Sequence, residues 1–143
     1  MQKWMEVKLL TDTAKIPTKG SSGAAGYDIY ADQDIQMGPE TSGLISTGFA
    51  VSIPRGYVGI IKSRSGLAVA GIEVGAGVID SDYRGEVKVL LRNLSFSAEF
   101  KAKRGDRIAQ LLVVAIAPHL IVQKKDKLEP SERGSGGFGS TGK

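Results

Sequence analysis

The 143-residue chain contains no cysteine and a single histidine, His119. These absences exclude disulfide frameworks, thiol nucleophiles, thiolate zinc sites and multi-histidine metal cages, so any bound metal has to be held by oxygen. Long hydrophobic runs are also missing: the longest, residues 111–117, falls far short of the roughly 20 residues that a membrane-spanning helix requires. The first ten residues carry Lys3, Glu6 and Lys8 and no apolar signal-peptide core, which points to a soluble intracellular protein of cytoplasm or nucleus. Helical periodicity is scarce, because Gly or Pro recurs before three apolar turns accumulate; residues 65–70 supply one short turn or helix at most. With no Gly-x-Ser-x-Gly elbow in the chain, His119 reads as a surface or interface residue and not as part of a triad.

What is abundant is glycine, with nineteen residues, about twice the ordinary usage. Hydrophobic residues at 41% and charged residues at 24% suit one folded domain with a real core. The net charge of +4 is compatible with a polyanionic ligand, but lysine and arginine are scattered except near 101–107 and 124–127, so nucleic-acid binding is weakly supported.

Short β-branched segments bounded by Gly, Pro, Asp and Asn predict strands over 5–9, 43–53, 57–62, 71–74, 86–91, 98–102, 107–115 and 120–123. An all-β sandwich or barrel follows. The alternation Glu86-Val87-Lys88-Val89 predicts a half-buried strand, whereas Leu111-Leu112-Val113-Val114 predicts one covered on both faces, by the domain or by a partner subunit. After Gln123 the chain turns charged and then Gly-rich, which divides it into a β domain, 1–123, and a mobile tail, 124–143.

Five segments could carry chemistry. The tail resembles a phosphate loop in its glycine spacing, but Ser140 stands where that loop needs lysine and no helix can follow. Its glycines still let backbone N–H groups converge on an anion, with Arg133, Ser140 and Thr141 as further donors; the plain alternative is a flexible linker. Phe138 favours a flap that orders over a ligand, since linkers seldom carry an aromatic. Residues 77–86 read as a hairpin, where Asp80 is placed to orient a water or accept a proton and Tyr83 offers a flat wall to a sugar or base. Asp28, after Ala25-Gly26-Tyr27, suits either a turn or a water-bridged Mg²⁺. Arg64, Ser65 and Gly66 suit a phosphate or a charged loop, and Gln110 is an amide in an apolar strand that needs a partner.

In order and spacing, the segments 25–31, 64–68, 77–85, 105–110 and 133–142 resemble the five motifs of the homotrimeric dUTPases. Two departures are slight: Ile29 stands where Leu is common, and Ser63 precedes Arg64 where Gly or Pro is often seen. The resemblance implies a jelly-roll subunit with a Gly-rich C-terminal arm, and a homotrimer whose arm, 124–143, closes over a neighbour's active site. It implies hydrolysis of dUTP to dUMP and pyrophosphate with Mg²⁺ as cofactor, which keeps uracil out of DNA and supplies dUMP for thymidylate synthesis. By the same resemblance Asp80 orients the attacking water and Asp28 holds Mg²⁺ through water. Arg64, Ser65, Gly66 and Gln110 bind the phosphates from one subunit and Arg133, Ser140 and Thr141 from the closing arm, where Gly139 also contacts the substrate, while Gly77, Val78 and Ile79 read uracil through the backbone. Tyr83 packs beneath the deoxyribose, and Phe138 stacks on the base. The related dCTP deaminases and a catalytically idle nucleotide sensor are the competing readings; the Gly-Val-Ile-Asp-x-Asp-Tyr hairpin and the Phe-Gly-Ser-Thr-Gly end favour the hydrolase.

Overall fold

Strand β8 (Glu86–Asn93) shows how the sequence pattern builds the core: Val87, Val89, Leu91 and Asn93 point inward while the residues between them do not. In the computed structural model, which describes residues 4–142, nine further strands join it. They are β1 (Glu6–Leu9), β2 (Tyr27–Tyr30), β3 (Ile35–Met37), β4 (Ser42–Ser52), β5 (Tyr57–Lys62), β6 (Ile72–Gly75), β7 (Val78–Ile79), β9 (Phe100–Ala102) and β10 (Arg107–Ala115). A single five-residue helix, α1 (Ser65–Val69), comes after β5. One sheet runs β1-β4-β8-β6, a second β2-β10-β5-β7, and a two-stranded ribbon pairs β3 with β9, all antiparallel. Phe49, Ile29, Leu91, Ile108 and Leu111 fill the interior. The result is the expected all-β, jelly-roll-like sandwich. Among the described residues no helix is long and apolar enough to cross a membrane.

Two bulges interrupt the regular pairing of the sheets. From Ser46 to Ala50, β4 advances four residues while β8 advances two, from Lys88 to Glu86. Gly48 lies inside this bulge at φ +71°, where a Cβ would stand 2.6 Å from an oxygen of Asp32. The second bulge lies in β10, where Arg107 opposes Tyr30 and Ala109 opposes Ile29. It explains why the consecutive residues Ile108 and Ala109 are both buried, which simple strand alternation forbids.

The strand expectations at 57–62 and 107–115 are met residue for residue, and those near 5–9, 43–53, 71–74, 86–91 and 98–102 are met within a few residues. Residues 120–123 form no strand: Leu120, Ile121 and Val122 stand almost fully exposed, with no neighbouring strand among the described residues to satisfy their backbone. Strands β2 and β3 escape sequence reading because each is short and adjoins polar turns. Coverage of β10 on both faces is only partly realised within one chain, since Leu111 is buried and Val114 exposed. His119 is exposed, as expected of a surface residue.

Buried polar groups fasten the loops to this frame. Asp32 accepts hydrogen bonds from the Thr11 and Thr13 hydroxyls, each at 2.6 Å, and Arg104 Nε approaches it to 3.6 Å. Asn93 donates through Nδ2 to the carbonyls of Gly38 and Ala98 at 3.0 and 2.9 Å and accepts from the Ser95 amide at 3.1 Å. The Thr47 hydroxyl donates to the Val87 carbonyl. Replacing Asn93 by alanine leaves these backbone groups unpaired and is expected to cost about 3 kcal/mol in denaturant unfolding.

The threonine hydroxyls hold the Asp32 carboxyl below its ordinary value, burial opposes them, and Arg104 assists. A carboxyl depressed on folding contributes stability above its unfolded value, about 3.9, and loses that contribution as pH falls through the lower folded value. Thermal melts of the parent chain should therefore show a fall in acid below about pH 4 that is smaller in Asp32→Asn, whose melting point is already lower at neutral pH.

Candidate active site

The second sheet, with the turn that follows β5, brings four of the sequence-derived segments into one row. Asp28 on β2 lies opposite Gln110 on β10, and Gln110 lies opposite Lys62 on β5. One residue beyond Lys62, Ser63 leads to Arg64 at the N-terminus of α1; beside β5, the Ile61 amide donates to the Gly77 carbonyl at 2.7 Å. At the usual strand spacing, the row from Asp28 to Gly77 spans about 15 Å.

Each position has a local cause. The backbone of Asp28 is held by β10 on one side and by a bridge to Thr18 on the other. Its carboxylate is half-buried and stands 3.5 Å from Arg107 Nη1. Arg107 also receives, at its carbonyl, a 2.8 Å hydrogen bond from Arg64 Nη1. One residue thus ties the carboxylate of the first motif to the guanidinium of the second. Arg107 lies within the segment 105–110, but its partnership with Asp28 is not visible in the sequence, because its reach depends on the β10 bulge. Gln110 donates through Nε2 to the Ser63 carbonyl at 3.0 Å, which answers the need of that amide for a partner. Its Oε1 sits 3.0 Å from where a Cβ on residue 26 would be, so Gly26 leaves the room. Ser63, unassigned from sequence, accepts the Val74 amide at its hydroxyl. Ser65 and Gly66 are exposed beside Arg64, with open space around Gly66.

At the other end of the row, β7 is the edge strand of its sheet and pairs with β5 through Val78 opposite Ile60 and Ile79 opposite Gly59. Among the described residues its other edge carries no strand. Ile79 is buried, Val78 is 70% exposed, and Gly77 enters the strand at φ +100°, where a Cβ would stand 2.7 Å from the Ile61 carbonyl oxygen. A cavity of about 390 Å³ opens on this hairpin, lined by Gly77, Val78, Ile79, Asp80 and Tyr83 and, from the facing sheet, by Leu90 and Glu86. Glu86 Oε2 is buried there without a hydrogen-bond partner. A second cleft of about 660 Å³ lies across the turn and includes Asp80, Asp82, Arg84 and Arg55. Asp80 therefore stands exposed between two hollows. Arg84 Nη1 closes the turn by donating to the Ser81 and Tyr83 carbonyls at 2.6 and 3.1 Å. A third groove of about 300 Å³ runs beside Arg64 and Arg107 and includes Lys101 and Asp106.

The tail residues do not join this row within one chain. Arg133, Phe138, Gly139, Ser140 and Thr141 are exposed, and among the described residues the hydrogen bonds of 117–142 are local turns such as Ser140 N to Gly137 O at 3.0 Å. Phe138 adopts φ +52° and is fully exposed.

Among the described residues there is no cluster of three or more metal-ligating side chains. A single half-buried carboxylate at Asp28 nevertheless fits Mg²⁺, which keeps several waters and takes one or two carboxylates together with substrate phosphates.

Residues 12–142 match the family model described as dUTPase. The chain is 50% identical over 141 residues to the deoxyuridine 5'-triphosphate nucleotidohydrolase of Saccharomyces cerevisiae, covering 98% of this chain and 95% of that one. It superposes on the Staphylococcus bacteriophage 80alpha dUTPase, solved with dUpNHpp, at a TM-score of 0.90 and 30% identity, with 99% of each chain covered. A mutant dUTPase from phage phi11 of S. aureus, whose structure reveals the coordination of a structural Mg(II) ion, is similar at a TM-score of 0.81 and 27% identity, covering 87% of this chain and 98% of that one. With its motifs set along one sheet in this way, the chain belongs to the dUTPase family.

Proposed function

We propose that this chain hydrolyses dUTP to dUMP and pyrophosphate, with Asp80 activating the water and Asp28 anchoring Mg²⁺. The observation that carries the reading is the row on the second sheet. It sets a carboxylate, an amide and a guanidinium at one end, and a cavity with a free strand edge and an acid at the other. An extended nucleoside triphosphate matches such a row, base at the hairpin and phosphates toward Arg64 and Asp28.

The free edge of β7 presents alternating backbone donors and acceptors. The uracil edge alternates acceptor, donor, acceptor and can pair with it, whereas cytosine leaves buried groups mismatched, which is a large penalty. Val78 and Ile79 thereby read the base without a base-reading side chain. On this reading the hairpin backbone closes on C5 of the base and excludes the methyl of thymine, and Tyr83 beneath the sugar excludes a 2′-hydroxyl. Asp80 orients a water in line with the α-phosphorus and takes its proton as the water oxygen bonds to phosphorus. The bond from the α-phosphorus to the oxygen bridging the β-phosphate breaks, and pyrophosphate leaves. Arg64, Ser65, Gly66 and the second amide hydrogen of Gln110 offset charge on the phosphates. When bound, Mg²⁺ supplies charge neutralisation along the triphosphate. Asp28 is the carboxylate that holds it, through water.

Pyrophosphate release measured with Mg²⁺ across dUTP, dTTP, dCTP and UTP should be confined to dUTP. Comparable rates on dTTP or UTP reject the specificity argument, and ammonia release from dCTP points to the deaminase chemistry instead. Asp80→Asn should lower turnover by about 10³-fold while nucleotide binding, followed by calorimetry, persists.

The C-terminal segment completes the site from a neighbouring chain in a homotrimer, with Arg133, Gly139, Ser140 and Thr141 on the phosphates and Phe138 over the base. Its local hydrogen bonds and exposed side chains support this assignment. Deleting 133–143 should remove turnover without lowering the melting point. Co-expressing that deletion with Asp80→Asn should restore activity, because mixed trimers pair an intact Asp80 with an intact arm. Activity no higher than that of the two parents would place the arm in cis.

A further inference from the structure

Tyr83 is fixed by its own turn. Its amide donates to the Asp80 carbonyl at 3.1 Å, and its hydroxyl donates to the Glu86 carbonyl at 2.8 Å. Between those anchors the ring edge lies against residue 85. A Cβ on Gly85 would stand 2.5 Å from the Tyr83 hydroxyl oxygen, 2.7 Å from Cζ and 3.0 Å from Cε2, and these are its three nearest atoms. Side chains do not approach so closely. Gly85 is not among the glycines with positive φ, so alanine there meets no backbone objection. The demand for glycine at this position therefore comes from the ring. Tyr83 remains 46% exposed on the side of the cavity that holds Val78 and Asp80.

We propose that Gly85 is a specificity-determining position that acts through Tyr83. Its bare Cα seats the ring, and the depth of that seat sets where the ring stops a hydroxyl on C2′ of the sugar. A methyl group at 85 drives the ring off its seat, breaks the bond to the Glu86 carbonyl, and moves the wall that separates deoxyribose from ribose. This inference rests on the reading of Tyr83 as the platform beneath the sugar. Gly85 itself touches no nucleotide, so it is a positioning residue.

The test is a double-mutant cycle on the full chain: parent, Gly85→Ala, Tyr83→Ala and the double variant, each assayed for kcat/KM on dUTP and on UTP. The expected result is a dUTP-to-UTP ratio that falls about tenfold or more in Gly85→Ala, toward that of Tyr83→Ala. In the Tyr83→Ala background, Gly85→Ala should then change the ratio by less than about twofold, because the atoms it displaces are gone. Loss of folding in Gly85→Ala alone, with the double variant melting as Tyr83→Ala does, equally supports the ring as the sole obstacle. A parental ratio in folded Gly85→Ala, effects that multiply across the cycle, or a double variant that stays unfolded overturns the proposal. A parent chain with no preference for dUTP over UTP, or a Tyr83→Ala variant with the parental ratio, fails the underlying reading and is distinguishable from failure at Gly85.

Discussion

The register of β10 is the constraint on which the site depends. This strand pairs on both sides, so Gln110 is fixed against Asp28 and against Lys62 at once. A slip of one residue would turn Leu111 and one of the pair Ile108 and Ala109 out of the core, and the burial of those side chains resists it. The bulge between Arg107 and Ala109 then lets Arg107 leave the alternation of the strand, pair with Asp28 through its side chain and receive Arg64 at its carbonyl. Hydrophobic burial thus sets electrostatic geometry: the two charged groups proposed for metal and phosphate are held as a unit before any ligand arrives.

The rest of the molecule divides between fastening and access. Asp32, Asn93 and Thr47 lie inside with their hydrogen bonds made, and they tie the segments around Thr11, Gly38 and Ser95 to the two sheets. Apart from Gln110 in mid-sheet, the groups proposed for chemistry lie at sheet edges and turn mouths, where Asp80, Ser65 and Gly66 are exposed. Rigidity sits behind the site and openness in front of it, an arrangement suited to a ligand that must enter, react and leave as two products.

Much of this was legible in the sequence. Strands β5 and β10 announced themselves by β-branched runs between Gly and Asp, and β8 by its alternation. The hairpin could be read from Asp80, Asp82 and Gly85, whose turn chemistry is local. Strands β2 and β3 were not legible, since Asp28 within the one and Asp32, Asp34 and Gly38-Pro39 around the other read as turn chemistry. The partnership of Arg107 with Asp28 and Arg64 was hidden for a different reason: it joins three segments far apart in sequence through a bulge that no spacing encodes. The exposed run Leu120-Ile121-Val122 reads as a strand by composition, yet composition does not supply the neighbouring strand that would make it one.

Strand β7 offers its donors and acceptors on the main chain, at the open edge of a sheet. The proposed base selectivity is therefore written in geometry, and substitution at Val78, whose side chain is largely in solvent, leaves the code unchanged. Converting such a reader to another base requires an insertion, a deletion or a shift of pairing against Gly59 and Ile60, each of which disturbs the sheet that carries it. Discrimination of this kind tolerates drift in side chains and is hard to re-engineer by point mutation.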